Sequence, residues 1–339
     1  MAFSQEGFKR IREAFRRDSG RDFRRLPGCA PGGKPRTIRP GIGGSVTGHG
    51  SAGRRTREDN AAGYALLTPT LAVLALALAA PMLLLLVYSL KSQTGITIGG
   101  DLTLAQYQEV LGRDSYRTLF WRSLAISGAV TLVTLLLAYP MAYFVAFHVK
   151  RAKFLWLIAL TIPFWTSYLL RVFSWKVILG FNGVINSALL RLGLVDAPLE
   201  FLLYNPFAVV LTLAHAWAAF AILPIYVSLE KIDRSLLEAA TDLGDGPWRR
   251  FRRITLPLSM PGVIGAAILV FVPTTGDYVT PELVGGPRGA MIANAIEVQF
   301  NSVGNWPMGA ALALLSMAGV ALVTAAFVLA ARAAARTIR

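Results

Sequence analysis

Six long apolar windows, at about residues 66–90, 123–147, 154–180, 207–229, 258–280 and 308–331, constrain this chain more than any other feature. A bilayer core about 30 Å thick is crossed by roughly 20 apolar residues in a helix. Lipid offers backbone groups no hydrogen-bond partner, so a spanning segment must satisfy its own, and runs of this length do so as helices. Hydrophobic residues make up 54% of the chain and charged residues 16%, with a mean hydropathy of +0.52, well away from soluble domains. The expected fold is therefore all-α, a polytopic membrane protein with six transmembrane helices. All but the third and fifth windows read as single uninterrupted helices.

Six spans place both termini on one side, and the basic residues say which. The arm 1–63, the turn 148–153, the loop 230–256 and the C-terminus together hold 26 of the 34 Lys and Arg but only 11 of the 19 Asp and Glu. By the positive-inside rule these segments, both termini included, are expected to be cytoplasmic. Orientation thus accounts for the net charge of +15, and no nucleic-acid partner is expected.

Between the fourth and fifth windows lies a short charged segment, EAATDLGDGPWRRFRRITLP, at 238–257. Ser235 with Glu238 three residues on forms a capping box, which predicts a helix carrying Leu236, Leu237, Ala240 and Leu243 as an apolar stripe. Gly244 should end it in the left-handed conformation, and Asp245, Gly246 and Pro247 should turn into a second helix with proline in its first position. Trp248 and Phe251 would share a face of that helix, ringed by Arg249, Arg250, Arg252 and Arg253. Aromatic anchors among arginines suit a partner's groove. The same arginines would also suit a loop lying on anionic lipid.

Chemistry-bearing motifs are missing. The chain has no GxxxxGK[ST], and Gly32–Gly33–Lys34 runs into Pro35, so no phosphate loop is expected. HExxH and GxSxG are absent too, and no enzymatic activity is expected of this chain. Cys29 is the single cysteine, and His49, His148 and His215 are scattered without ligand spacing, so neither a metal nor a cofactor is expected.

The arm 1–63 differs in composition from the rest. Residues 26–53 are rich in Gly, Pro, Arg and Ser and read as disordered. Phe8, Ile11 and Phe15 would share a helical face among basic residues, which fits a helix on the inner leaflet, or equally an extension without a role. No short apolar region with a cleavage site precedes the first span, so a secretory signal is not expected.

In the fifth window the apolar run from Val263 reaches Val272 and is expected to break over Pro273–Asp277. Such a break must be buried in protein or line a watery path, and interrupted spans point to transport pathways. Asp277, Tyr278, Glu282 and Trp306 follow, a candidate solute pathway in which acids and aromatics would attract a cation. They read equally well as turn caps and an interfacial aromatic belt. In the third window Arg171 lies 17 residues beyond Phe154. That is about 25 Å along a straight helix, and snorkelling to the outer headgroups is the preferred expectation.

With these residues in view, the chain resembles the permeases of ATP-binding-cassette importers of the spermidine/putrescine type, from roughly residue 64 to 332. The likeness rests on the EAA loop, IPFWTSYLLRVFSW (162–175), LPIYVSLEKID (223–233), GDYVTPELVGGP (276–287), MIANAIEVQF (291–300) and NWPMGAALAL (305–314). The resemblance implies a transmembrane domain over 64–332 between the arm 1–63 and a cytoplasmic tail 333–339, in a bacterial inner membrane. It also implies cytoplasmic ATPase subunits, a second permease subunit and an extracytoplasmic solute-binding protein as partners. Carried over, Glu238, Ala239, Ala240 and Gly244 would occupy the ATPase groove, with Trp248, Phe251, Leu256 and Pro257 completing the coupling loop. Asp245 departs from the small residue common there. An ATPase-independent secondary transporter or channel is the alternative.

Overall fold

The computed structural model describes residues 52–95 and 97–337. The expectations for the Phe8, Ile11 and Phe15 face and for most of the stretch 26–53 lie outside them. The chain divides into two units, 1–67 and 68–339. Of the first, the described part is the opening of a helix, α1 (Ala52–Ser89), which starts within the stretch expected to be irregular.

A hairpin of β1 (Lys91–Thr94) and β2 (Thr97–Leu102) follows, paired antiparallel with Thr94 opposite Thr97. This strand pair was not foreseen in an all-α reading. Then come α2 (Ala105–Gly112), α3 (Asp114–Tyr143) with a π turn at its end (Phe144–His148), α4 (Lys153–Thr161) with a 3-10 turn (Ile162–Trp165), α5 (Tyr168–Leu179) and α6 (Val184–Arg191). After them lie α7 (Pro206–Glu230), α8 (Arg234–Asp242), α9 (Pro247–Arg250), a π turn (Phe251–Thr255) and α10 (Leu256–Thr275). Two short helices, α11 (Gly286–Gly289) and α12 (Ile292–Glu297), and the long α13 (Trp306–Thr337) complete the chain.

Among the described residues, six helical segments are long and apolar enough to span a membrane: Leu67–Ser89, Asp114–His148, Tyr168–Arg191, Pro206–Glu230, Pro247–Thr275 and Trp306–Ala331. The third window is indeed interrupted. Its first part is α4, and the chain then bends at Thr166 and Ser167, both in extended conformation, before α5 begins. With 12 residues α5 is about 18 Å long, too short to cross alone. In the fifth window the expected break comes later than its proline suggested, because α10 runs through Pro273 to Thr275. The Thr274 hydroxyl donates to the carbonyls of Val270 and Phe271, and that of Thr275 to Phe271, so the threonine hydroxyls add donors to the last turn of the helix.

The core is the packing of α3, α7 and α10. Ile126, Val130, Ala138 and Ala142 of α3 meet Val209, Leu213, Ala221, Ile222, Ile225 and Leu229 of α7 and Ala266 and Val270 of α10. In lipid the apolar surroundings supply little drive for helices to associate, so close van der Waals packing and hydrogen bonds must do it, and small residues permit the approach. Gly262 marks a close approach: a Cβ there would stand 2.5 Å from the Pro224 carbonyl of α7 and would collide with the Ser228 hydroxyl. Nearby, the Tyr139 and Ser259 hydroxyls join α3 to α10 at 2.9 Å.

The first span is buried only at its end, at Ser89, and the sixth mainly near its start, where Met308, Ala310, Ala311 and Leu312 turn inward. Both are held at the hairpin. Gln93 donates to the Gly304 carbonyl at 2.8 Å and accepts from the Trp306 N–H at 3.1 Å, while Ser89 and Tyr107 share a hydrogen bond of 2.7 Å.

Candidate functional site

The charged segment between the fourth and fifth spans folds as two helices around a tight turn. Its start differs from the expectation: Asp233, two residues before Ser235, is the N-cap of α8 and accepts the Ser235 N–H at 2.9 Å. That N–H, with the Ser235 hydroxyl second, holds the Asp233 carboxyl below the usual carboxylate range. The cap therefore persists above the ordinary carboxylate range and weakens as pH falls through the depressed value.

At the other end the expectation holds. Gly244 has φ +85°, the Asp245 N–H reaches the Ala240 carbonyl at 2.9 Å and the Gly244 N–H reaches Thr241 at 2.9 Å. This pair of bonds is a Schellman cap. Gly246 then turns the chain into Pro247 at the first position of α9. Asp245, the departure from the family's small residue, lies 3.5 Å from Arg249 and 3.7 Å from Arg253, so it gathers two of the loop's arginines. Arg250 crosses to the Thr241 hydroxyl at 2.5 Å and ties the two helices together.

The loop residues divide by direction. Glu238, Ala239, Gly244 and Trp248 face outward, Trp248 with 72% of its surface free. Ala240 is buried, and Phe251, Leu256 and Pro257 are half-buried. Phe251 stacks under Trp248 at 5.5 Å and meets Tyr139 and Tyr143 of α3 edge-on, so it roots the loop in the spans. The expected apolar stripe splits likewise: Leu243 is 87% exposed and Leu236 is exposed too. Both join the outward apolar face, a role hidden from the reading of the stripe. The available signal was a leucine directly before the helix-ending glycine.

On the same side, Lys153 pairs with Glu230 at 2.7 Å and donates to the Ala146 carbonyl at 3.0 Å, which Arg234 also reaches at 3.4 Å. The 148–153 turn and the start of the loop are thereby clamped together.

The second region is a cavity of about 390 Å³ lined by Phe164, Thr166, Tyr168, Arg171, Ala216, Trp217, Phe220, Pro273 and Asp277. It opens where the third span is broken and the fifth ends. Asp277 accepts from the N–H groups of Val279 at 3.0 Å and Thr280 at 3.4 Å, so it is a turn cap, while its other oxygen takes the Tyr168 hydroxyl. The turn-cap reading of this acid is thus realised, and the same side chain lines the cavity. Tyr278 and Glu282 are exposed, and Asn294 donates to the Tyr278 carbonyl at 2.8 Å and to Glu282 at 3.5 Å. Trp306 stands apart from them, against Tyr88 at 6.2 Å and Phe300 at 5.7 Å, beside the hairpin.

Arg171 does not snorkel. It is 9% exposed and donates to the carbonyls of Ala216 at 3.1 Å, Thr166 at 3.1 Å and Phe164 at 3.3 Å, with its guanidinium 4.7 Å from the centre of the Phe164 ring. The broken span frees carbonyls that need donors, and Arg171 supplies them. Among the described residues no cluster of three His, Cys, Asp or Glu could hold a metal.

The family model described as the binding-protein-dependent transport system inner membrane component matches residues 66–338. The chain belongs to this family. It is a multi-pass inner-membrane permease of an ATP-binding-cassette importer. The permease is 35% identical over 235 residues to the spermidine/putrescine transport system permease protein PotB of Haemophilus influenzae, covering 69% of this chain and 82% of that protein. With the PotB of Escherichia coli it shares 38% over 212 residues, 62% of this chain and 76% of the relative. The inner membrane ABC transporter permease protein YdcU of Escherichia coli is 33% identical over 238 residues, 67% and 75% of the two chains. Among solved structures, a chain of a bacterial ABC transporter involved in the import of the acidic polysaccharide alginate superposes with a TM-score of 0.63 at 18% identity, covering 84% of the permease and 98% of that chain. At that identity the likeness concerns the fold of the permease alone.

Proposed function

We propose that this permease imports a small organic cation of the polyamine class. The observation that carries the reading is the 35–38% identity to permeases named for spermidine and putrescine. Asp277 supports it, because a carboxylate lining an aromatic cavity suits an ammonium group. Domain 64–332 forms the pathway, while the arm 1–63, the tail 333–339 and the loop 230–256 lie in the cytoplasm. The permease pairs with a second permease subunit and receives solute from an extracytoplasmic binding protein. Separate cytoplasmic subunits hydrolyse the ATP. They grip the outward face made by Glu238, Ala239, Leu243, Gly244 and Trp248, while Ala240, Phe251, Leu256 and Pro257 transmit the movement to the spans. Two global states, opened alternately to either side, complete the cycle.

Uptake of labelled putrescine and spermidine by cells lacking the gene, with and without its restoration, tests the solute. Uptake should fall on deletion and return with the intact gene; unchanged uptake in cells without redundant carriers would discard the polyamine assignment. Replacing Asp277→Asn should reduce uptake about ten- to hundredfold at limiting solute, the scale of one charge-assisted hydrogen bond, with unchanged amounts of protein in the membrane. Wild-type uptake by this variant would remove Asp277 from the pathway.

A further inference from the structure

Arg171 carries a full charge in the wall of the cavity, and none of the ion pairs among the described residues includes it. The one carboxylate lining the same cavity, Asp277, is engaged by Tyr168, Val279 and Thr280. Three carbonyls from two elements, Phe164 and Thr166 at the break and Ala216 on α7, pin the guanidinium in place. Holding those carbonyls requires donors but not a charge, since an amide side chain would also donate. A positive charge fixed beside a water-accessible space does something more: it sets a barrier to small cations.

We propose that Arg171 is the charge filter of the permease, a fixed positive residue that keeps protons and inorganic cations from leaking through the solute path. A unit charge about 5 Å from a passing ion, at an effective dielectric constant near 20, suppresses the ion's occupancy by about a hundredfold. A bare monovalent ion finds only the Asp277 carboxylate, already shared among the Tyr168 hydroxyl and the Val279 and Thr280 N–H groups, and offsets this only in part. An organic ammonium offsets it by binding Asp277 and the faces of Trp217 and Phe220, which line the same cavity. The proposal rests on the reading that this cavity belongs to the solute path. Its test does not depend on which solute is carried.

The test uses inner-membrane vesicles from cells expressing the full chain with its natural partners. Potassium and chloride fluxes are each measured under an imposed membrane potential, and putrescine uptake is measured in the same cells. Arg171→Gln keeps donors for the carbonyls and removes the charge, and should raise potassium leak about ten- to hundredfold while chloride flux stays at the wild-type level. Arg171→Lys keeps the charge and should remain tight. Phe220→Glu keeps the three carbonyls that hold Arg171 and adds a second carboxylate to the cavity wall, so it should leak potassium as R171Q does. Tight R171Q vesicles, equal leak of both ions, or leak through R171K matching R171Q would each overturn the filter. If R171Q does not reach the membrane, F220E decides, and a tight F220E overturns it. Absent putrescine uptake in the wild type would sink the solute assignment and leave the leak comparison standing.

Discussion

Replacing Gly244→Leu should abolish solute uptake, by about a hundredfold or more, while the protein remains in the membrane in normal amount. Two effects act together. The residue sits at φ +85°, where a side chain with a Cβ is strained by about 1–2 kcal/mol, so the Schellman cap would loosen. The larger effect is external. Apart from its own chain neighbours, no atom of the described residues lies within 4 Å of where a Cβ would stand, so the permease itself has room for it. On the proposed docking, what a side chain would meet is the ATPase groove, and central interface positions are worth about 2–4 kcal/mol. Gly244→Asn separates the two, because asparagine tolerates the left-handed conformation and keeps the turn. Loss of uptake in both variants places the effect at the docking face, and loss in G244L alone places it in the turn. Wild-type uptake by G244L would show that the loop is not the coupling element.

Gly262→Leu should instead damage the protein itself. The Cβ would stand 2.5 Å from the Pro224 carbonyl, and a backbone atom cannot rotate aside as the Ser228 hydroxyl can. Forcing α7 and α10 apart typically costs about 1–3 kcal/mol, or a fall of roughly 3–10 °C in melting temperature for a chain of this class. Melting of the detergent-solubilised protein, followed by tryptophan fluorescence, measures this directly. A second change, Ser228→Ala, should not restore stability because the carbonyl remains. A double variant that melted like wild type would show that the hydroxyl alone set the limit.

Much of this was legible in the amino-acid order, for identifiable reasons. The six spans are readable because bilayer thickness sets one length for all of them, and the turn at Gly244–Pro247 because glycine and proline act through their own backbones. Arg171 was misjudged because residues were counted along a straight helix from Phe154. The chain bends at Thr166 and Ser167, and the carbonyls freed there create the demand that draws the side chain inward. The N-cap went to Ser235 because Ser235 and Glu238 fit a familiar spacing, yet Asp233 was close enough to take the same N–H. Trp306 was grouped with Asp277 by proximity in sequence. The hairpin, whose partners lie more than 200 positions away, claims it instead.

From Pro247 to Thr275 the chain is helical without interruption for 29 residues, roughly 40 Å, passing through one wider turn at Phe251–Thr255. Mechanically this is a connecting rod. A push applied near Trp248 has no slack segment to absorb it before the end of the rod, two residues short of Asp277. The joint between α8 and this rod is the three-residue stretch 244–246, with glycines at Gly244 and Gly246 and the charges gathered at Asp245. On the proposed docking, the backlash of the whole machine, the travel lost between ATPase and cavity, is therefore set by how tightly those three residues are held.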